Sequence, residues 1–341
     1  MGLQNLWFVL WGALWAVYFM LDGFDFGTGM LRMFLARDET ERRMSLVAIG
    51  PVWNGNEVWL ITAGGATFAA FPITYASMFS FLYLPMLLIL LSLIVRGVAV
   101  EFRGKHDSPR WQAAWDWALA VTSLTAPLVL GLGFGNIFRG LAFDVTGYHG
   151  SFGGLFNPYG LLTAVLFIAL FLQHGALWLS WRAEGDLATR AGRCAGIVWY
   201  VVLVVAAGFL VASAFDTRLA DNFYSHWYLF IVPILAVAAL VGVKVAQRSS
   251  ALGAFLFSCA TIVLVVATGL VGLFPHLIPS RLDPGAGLTI YNSSSGPYTL
   301  KVMTIVALVF VPIVIVYQAL VYRFFRARIT KGEVSEGAEG Y

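Results

Sequence analysis

Nine stretches of this 341-residue chain are apolar for long enough to cross a bilayer, near 7–31, 51–72, 75–102, 113–138, 158–181, 191–213, 226–246, 251–274 and 301–325. A helix needs about 20 such residues to span the hydrocarbon layer. Hydrophobic residues make up 60% of the chain and charged ones 11%, and the mean hydropathy is +0.81. A water-soluble fold cannot bury that much apolar surface. The sequence therefore predicts an all-α integral membrane protein with nine transmembrane helices, a single membrane domain over 1–330 and a disordered tail over 331–341.

Lys and Arg in the connections set the orientation, because cytoplasmic loops carry the excess. The first, third, fifth and seventh loops and the C-terminal end hold sixteen of the 21 Lys and Arg residues. The N-terminus is then outside and the C-terminus cytoplasmic. The net charge of +3 follows from this loop bias and implies nothing about nucleic acid. Cys194 and Cys259 fall too far apart in depth for a bridge and read as packed free thiols.

Against this apolar background a few ionisable residues stand inside spans: Asp22 and Asp25 in the first, Glu57 in the second, and Arg96 and Glu101 in the third. Such residues are costly in hydrocarbon and are kept more often for proton, ion or substrate handling than for packing. Asp25 lies seven residues before Arg32, Glu57 seven after Gly50, and Arg96 seven before Arg103. At about 1.5 Å per residue all three sit about 10 Å from the cytoplasmic end. One reading is a structural ion network in which Arg96 bridges Asp25 and Glu57; the other is a proton relay, with Asp22 one turn from Asp25 and Asn54 sharing a helix face with Glu57. Asp116, flanked by Trp111, Trp115 and Trp117, reads as an interfacial anchor.

Ligands for metal or haem are scarce. His106, His149, His226 and His276 fall in loops or at span ends, and His174 is the one histidine well inside a span. It suits an interhelical hydrogen bond better than a proton carrier. No cluster has metal spacing, and there is no phosphate loop or nucleophile elbow. By composition and intramembrane carboxylates alone, a proton-coupled secondary transporter is the alternative function.

The segments LDGFDFGTGML, GPVWNGNEVWLITAGGATFAAFP, LIVRGVAVEFRGK, NPYGLLTAV, FPHLIPS and LTIYNSSSGPYTLKVMT closely resemble subunit II of the bacterial cytochrome bd-type quinol oxidase, along the whole chain. That resemblance implies a bacterial plasma (inner) membrane location and nine spans arranged as two four-helix bundles plus one peripheral helix. It implies a partner, subunit I, that holds two b-type haems, one d-type haem and the quinol-oxidising loop, while this subunit binds no cofactor directly. The complex would oxidise quinol outside and reduce oxygen to water with cytoplasmic protons. A small accessory subunit, lipids and a structural quinone are further partners that the resemblance allows. It also associates Asp25, the polar residue at the start of the second span and Arg96 with a proton entrance at the subunit interface. One departure stands out: the family motif commonly reads Trp-Asp-Gly-Asn, where this chain has Trp53, Asn54, Gly55 and Asn56. Asn cannot titrate. Either Glu57, Asp25 and water carry the proton here, or the entrance lies on subunit I.

Overall fold

The computed structural model describes residues 2–335, and the remainder of the expected disordered tail lies outside the described residues. The long helices, in chain order, are α1 (Leu3–Leu35), α2 (Glu39–Ile49), α3 (Trp53–Ala70), α4 (Pro72–Phe81), α5 (Tyr83–Phe102), α6 (Pro109–Arg139), α7 (Pro158–Arg182), α8 (Gly185–Asp216), α9 (Leu219–Ser225), α10 (Ile231–Ala246), α11 (Ala251–Leu273) and α12 (Pro297–Phe324), followed by the short α13 (Lys331–Ser335). Among the described residues, eight helices are long and apolar enough to cross a membrane, and they coincide with eight of the nine expected spans. The expected span near 51–72 is α3, which falls short because Asn54, Asn56 and Glu57 crowd its first turns.

The expected continuous span 75–102 is two helices, α4 and α5, broken at Leu82. Pro85 sits in the first turn of α5, where its missing amide hydrogen costs no helical bond of its own but prevents a bond back into α4. Averaged hydropathy does not register such a break.

Packing centres on α1 and α7, which touch backbone to backbone. A Cβ on Gly27 would collide with the Phe171 carbonyl, and one on Gly175 with the backbone of Gly27. Small residues at a helix crossing permit this approach, and within a bilayer van der Waals packing is a main source of helix association. Above the crossing, Phe19 meets Phe134 and Phe167 edge-to-face at 5.3 and 5.0 Å. α6 joins α5 to α7, α8 packs on α7, and α10 and α11 form a hairpin. α12 is peripheral, with Leu300 its one buried residue. The Trp7 indole on α1 donates to the Leu300 carbonyl at 3.1 Å.

The loops over 139–157 and 275–300 are not featureless. Each holds a short antiparallel hairpin, β1 (Phe143–Asp144) with β2 (Gly147–Tyr148) and β3 (His276–Ile278) with β4 (Leu288–Thr289). They dock on each other where the Leu141 amide donates to the Pro279 carbonyl at 3.0 Å and the Arg281 amide donates to the Leu141 carbonyl at 2.9 Å. At the opposite, basic end, the Ile329 amide donates to the Arg182 carbonyl at 2.8 Å, and α13 packs on α2 with Val334 buried.

Gly175→Val should separate α1 from α7, since overpacking a tight contact costs roughly 1–3 kcal/mol or more. A lowered unfolding temperature in detergent checks this, and wild-type stability would mean that the two backbones do not touch.

Candidate functional site

Three helices bring the intramembrane charges together. Arg96 on α5 places Nη2 2.6 Å from Asp22 Oδ1 on α1 and 3.7 Å from Glu57 Oε2 on α3. Its guanidinium also lies 4.2 Å from the centroid of the Phe26 ring, a cation–π contact that offsets part of the lost hydration. The Tyr18 phenol, about one turn before Asp22 on α1, is buried with its hydroxyl unpartnered among the described residues. Gly97, next to the arginine, leaves the space that the Trp53 indole fills.

Asp25 is not a partner of Arg96, contrary to the sequence expectation. It accepts from Asn56 Nδ2 at 2.8 Å, and Asn56 Oδ1 accepts in turn from Gln318 Nε2 at 3.0 Å and from the Tyr322 hydroxyl at 2.7 Å. Asp22 and Asp25 are three residues apart, so they differ by about 60° around the helix and 4.5 Å along it. Asp22 consequently aims at α5 while Asp25 aims at the first turn of α3. Counting residues sets depth only: Arg32 and Arg103, the two reference points, both meet Asp116, and it is the rotation about α1 that turns Asp22 rather than Asp25 toward Arg96.

Asp22, Asp25 and Arg96 are buried, whereas the Glu57 side chain keeps 17% exposure. Asp25 Oδ1 and Arg96 Nε and Nη1 are buried without a hydrogen-bond partner among the described residues. Buried polar atoms of this kind call for water or another subunit. Asn54 and Glu101 are exposed and stand outside the cluster. Asn56, Gln318 and Tyr322 were not singled out in the sequence. Asn56 lies two residues from Asn54 on another face of α3, and the α12 residues belong to a distant segment whose docking no local pattern reveals.

A second ionic centre lies toward the basic end. Asp116 on α6 is buried and accepts from Arg32 and from Arg103, the latter also through Nη2 at 3.1 Å to Oδ2. Arg103 grips Glu39 with two bonds of 2.8 Å. Burial alone would raise the Glu39 carboxyl, but Arg103 outweighs it and holds Glu39 below the usual carboxylate range. The nearby Asp38 carboxyl is also held low, first by the Glu41 backbone amide. Asp116 is thus no interfacial anchor: with one methylene its carboxylate cannot reach water, and two arginines meet it instead.

The comparisons with known proteins decide the family. The model of cytochrome bd terminal oxidase subunit II matches residues 3–325. The chain belongs to that family. It is 40% identical over 335 residues to the cytochrome bd ubiquinol oxidase subunit 2 of Bacillus subtilis, covering 97% of this chain and 98% of that protein. It is 37% identical over 365 residues to the cytochrome bd-I ubiquinol oxidase subunit 2 of Escherichia coli K12, covering 97% and 96%. The solved bd oxidase from Geobacillus thermodenitrificans shares the fold, with a TM-score of 0.79 at 18% identity over 95% of this chain and 99% of that one.

As a subunit II of a bd-type terminal oxidase, the chain is a multi-pass protein of the bacterial inner membrane, part of a quinol:oxygen oxidoreductase with a subunit I partner and haems in the complex. Its own buried histidine does not fit haem ligation. His174 Nδ1 pairs with the Ser258 hydroxyl at 2.7 Å, Nε2 donates to the Met20 carbonyl at 2.9 Å, and the ring stacks on Phe255 at 4.7 Å. Both nitrogens are committed to holding α1, α7 and α11 together.

Asp116→Asn removes the shared carboxylate from two buried arginines and should destabilise the subunit by about 3–5 kcal/mol. Thermal unfolding of the assembled complex measures it; a loss under about 1 kcal/mol would place this centre in the class of exposed, weak pairs.

Proposed function

We propose that this chain is the haem-free subunit of the oxidase and that Glu57, Asp25 and Asp22 deliver cytoplasmic protons toward subunit I. The reading includes nine spans, with α3 as the ninth, grouped as two four-helix bundles plus α12, the N-terminus outside and the C-terminus cytoplasmic. A helix as polar as α3 needs cover on every side, and the arginine of α5 together with α12 supplies part of it. The transporter alternative requires function without a haem-bearing partner, which family membership disfavours.

The observation that carries the proton reading is the sharing of one guanidinium among carboxyl groups with different access. Arg96 contacts Asp22 and Glu57, and Asp25 stands one turn away on α1. One cation balances one carboxylate, so the remaining carboxyl groups are natural carriers of exchangeable protons. Glu57 is the half-buried member. On its helix Val58, Ile61 and Phe68 are exposed, as are Leu90, Leu91 and Ile94 on α5. An apolar face this extensive suits a partner helix surface. A proton reaching Asp25 from the basic end would pass by way of water to Glu57 and leave on that face. Asn54, unable to titrate, would position water at the same surface.

Glu57→Gln and Asp25→Asn keep shape and some hydrogen bonding while removing the titrating group. Both should slow oxygen reduction by roughly a hundredfold or more, the range for loss of a proton-transfer group, with haem content unchanged. Quinol oxidase turnover with a reduced-minus-oxidised haem spectrum reads both quantities. Full turnover by both variants at every pH at which the parent complex works would leave the cluster a structural ion network.

A further inference from the structure

The second bundle has a concave site with charges of its own. At its basic end a cavity of about 370 Å³ opens between the ends of α7 and α10 and the starts of α8 and α11. Arg193, Lys244 and Arg248 line it with the hydroxyls of Ser180 and Thr189 and the amide of Gln247, and no Asp or Glu does. The wall is braced. Lys244 Nζ donates to the Gly196 carbonyl at 3.0 Å and lies 4.5 Å from the Tyr200 ring centroid, and Gln247 Nε2 donates to the Gly192 carbonyl at 3.3 Å.

Other arginines near this end have acceptors: Arg32 and Arg103 meet Asp116, Arg190 meets Glu41, and Arg182 donates to the Ala327 carbonyl. Arg193 and Arg248, by contrast, are exposed and make no side-chain hydrogen bond or ion pair with any of the described residues. Three like charges facing one concavity repel unless an anion enters. At about 370 Å³ the cavity has room for more than a lone phosphate. Beside it, the outer faces of α8 and α10 turn apolar: Ile197, Val201 and Val204 on one, Val241 and Val245 on the other are exposed. Tyr200 and Trp199 about Lys244 are the residue types found where headgroups meet hydrocarbon. A ligand that matches both halves has an anionic phosphate head and acyl chains.

We propose that this cavity binds the headgroup of an anionic phospholipid, with its acyl chains laid along the apolar outer faces of α8 and α10. Arg193 and Arg248 close on the phosphate as unpaired donors, Lys244 supplies a fixed charge at the wall, and Ser180, Thr189 and Gln247 donate to the remaining oxygens. Basic pockets between membrane helices recognise such headgroups.

Native mass spectrometry of the purified, delipidated oxidase complex tests this, with cardiolipin, phosphatidylglycerol, phosphatidylcholine or inorganic phosphate added. The anionic lipids should bind at least about tenfold more tightly than phosphatidylcholine. Each cation near an anionic surface contributes about fivefold, so Arg193→Gln with Arg248→Gln should erase most of that preference, while Arg323→Gln with Arg326→Gln should leave it. Gly192→Leu keeps every charge and fills the cavity, its Cβ meeting first the rotatable Ser180 hydroxyl at 3.1 Å; it should lower lipid binding equally. Undiminished anionic-lipid binding by either cavity variant would overturn the proposal. So would displacement of the lipid by inorganic phosphate at equal phosphorus concentration, which would mark a soluble-anion site instead.

Discussion

A guanidinium inside a bilayer is the constraint on which the first half of the molecule depends. Leaving Arg96 unpaired would cost several kcal/mol even on lenient insertion scales. The structure answers with Asp22 from α1, Glu57 from α3 and the face of Phe26. Because these groups come from three helices, satisfying the arginine fixes how α1, α3 and α5 sit. Asn56 extends the same network to α12 through Gln318 and Tyr322. The otherwise peripheral last span is thereby tied to the polar side of the first. Buried pairs of this kind are poor sources of net stability, because desolvation consumes most of the attraction. Their effect is to make one arrangement of helices far better than its neighbours, and here that arrangement also holds carboxyl groups beside an open face.

The two ionic centres divide the work by depth. Asp116 and Glu39 face three arginines, Arg32, Arg103 and, at 3.8 Å from Asp116, Arg42; this centre has cations in excess and clamps α1, α2, α6 and the end of α5 at the basic end. The Arg96 centre has carboxyl groups in excess and includes one half-buried member. Both centres hold buried polar atoms without partners among the described residues, but at the Asp116 centre these belong to arginines, whereas at the Arg96 centre carboxylate oxygens are among them. The proposed relay rests on that difference.

The helices were legible from the sequence wherever the bilayer itself reads it, through length and apolarity, and eight spans coincide with apolar windows. The break at Leu82 was not legible, because a window average is blind to the loss of one backbone bond near Pro85. The sequence draws attention to Asp22, Asp25, Glu57 and Arg96, and the structure sets Arg96 against Asp22 and Glu57 with Asp25 turned to Asn56. Depth is legible by counting residues, but the rotation of α1 that decides which aspartate meets Arg96 is set by packing. Asn54 drew attention through its place in a motif, yet Asn56 makes the contacts, because the helical face presented to α1 and α12 is set by docking partners far along the chain. The loops over 139–157 and 275–300 look irregular by composition because their hairpin strands are only two or three residues long, and the bridge that docks one loop on the other, Leu141 with Ser280, joins segments more than a hundred residues apart.

The pairing of Arg96 with Asp22, which ties α5 to α1, is tested most directly by a double-mutant cycle on thermal unfolding of the assembled complex, using Asp22→Asn, Arg96→Gln and the two together. Residues in direct contact couple by about 0.5–3 kcal/mol. The double variant should therefore lose less than the sum of the single losses, because removing one partner strands the other's charge while removing both does not. Strictly additive losses would contradict a guanidinium held by Asp22 and would return the arginine to an independent role.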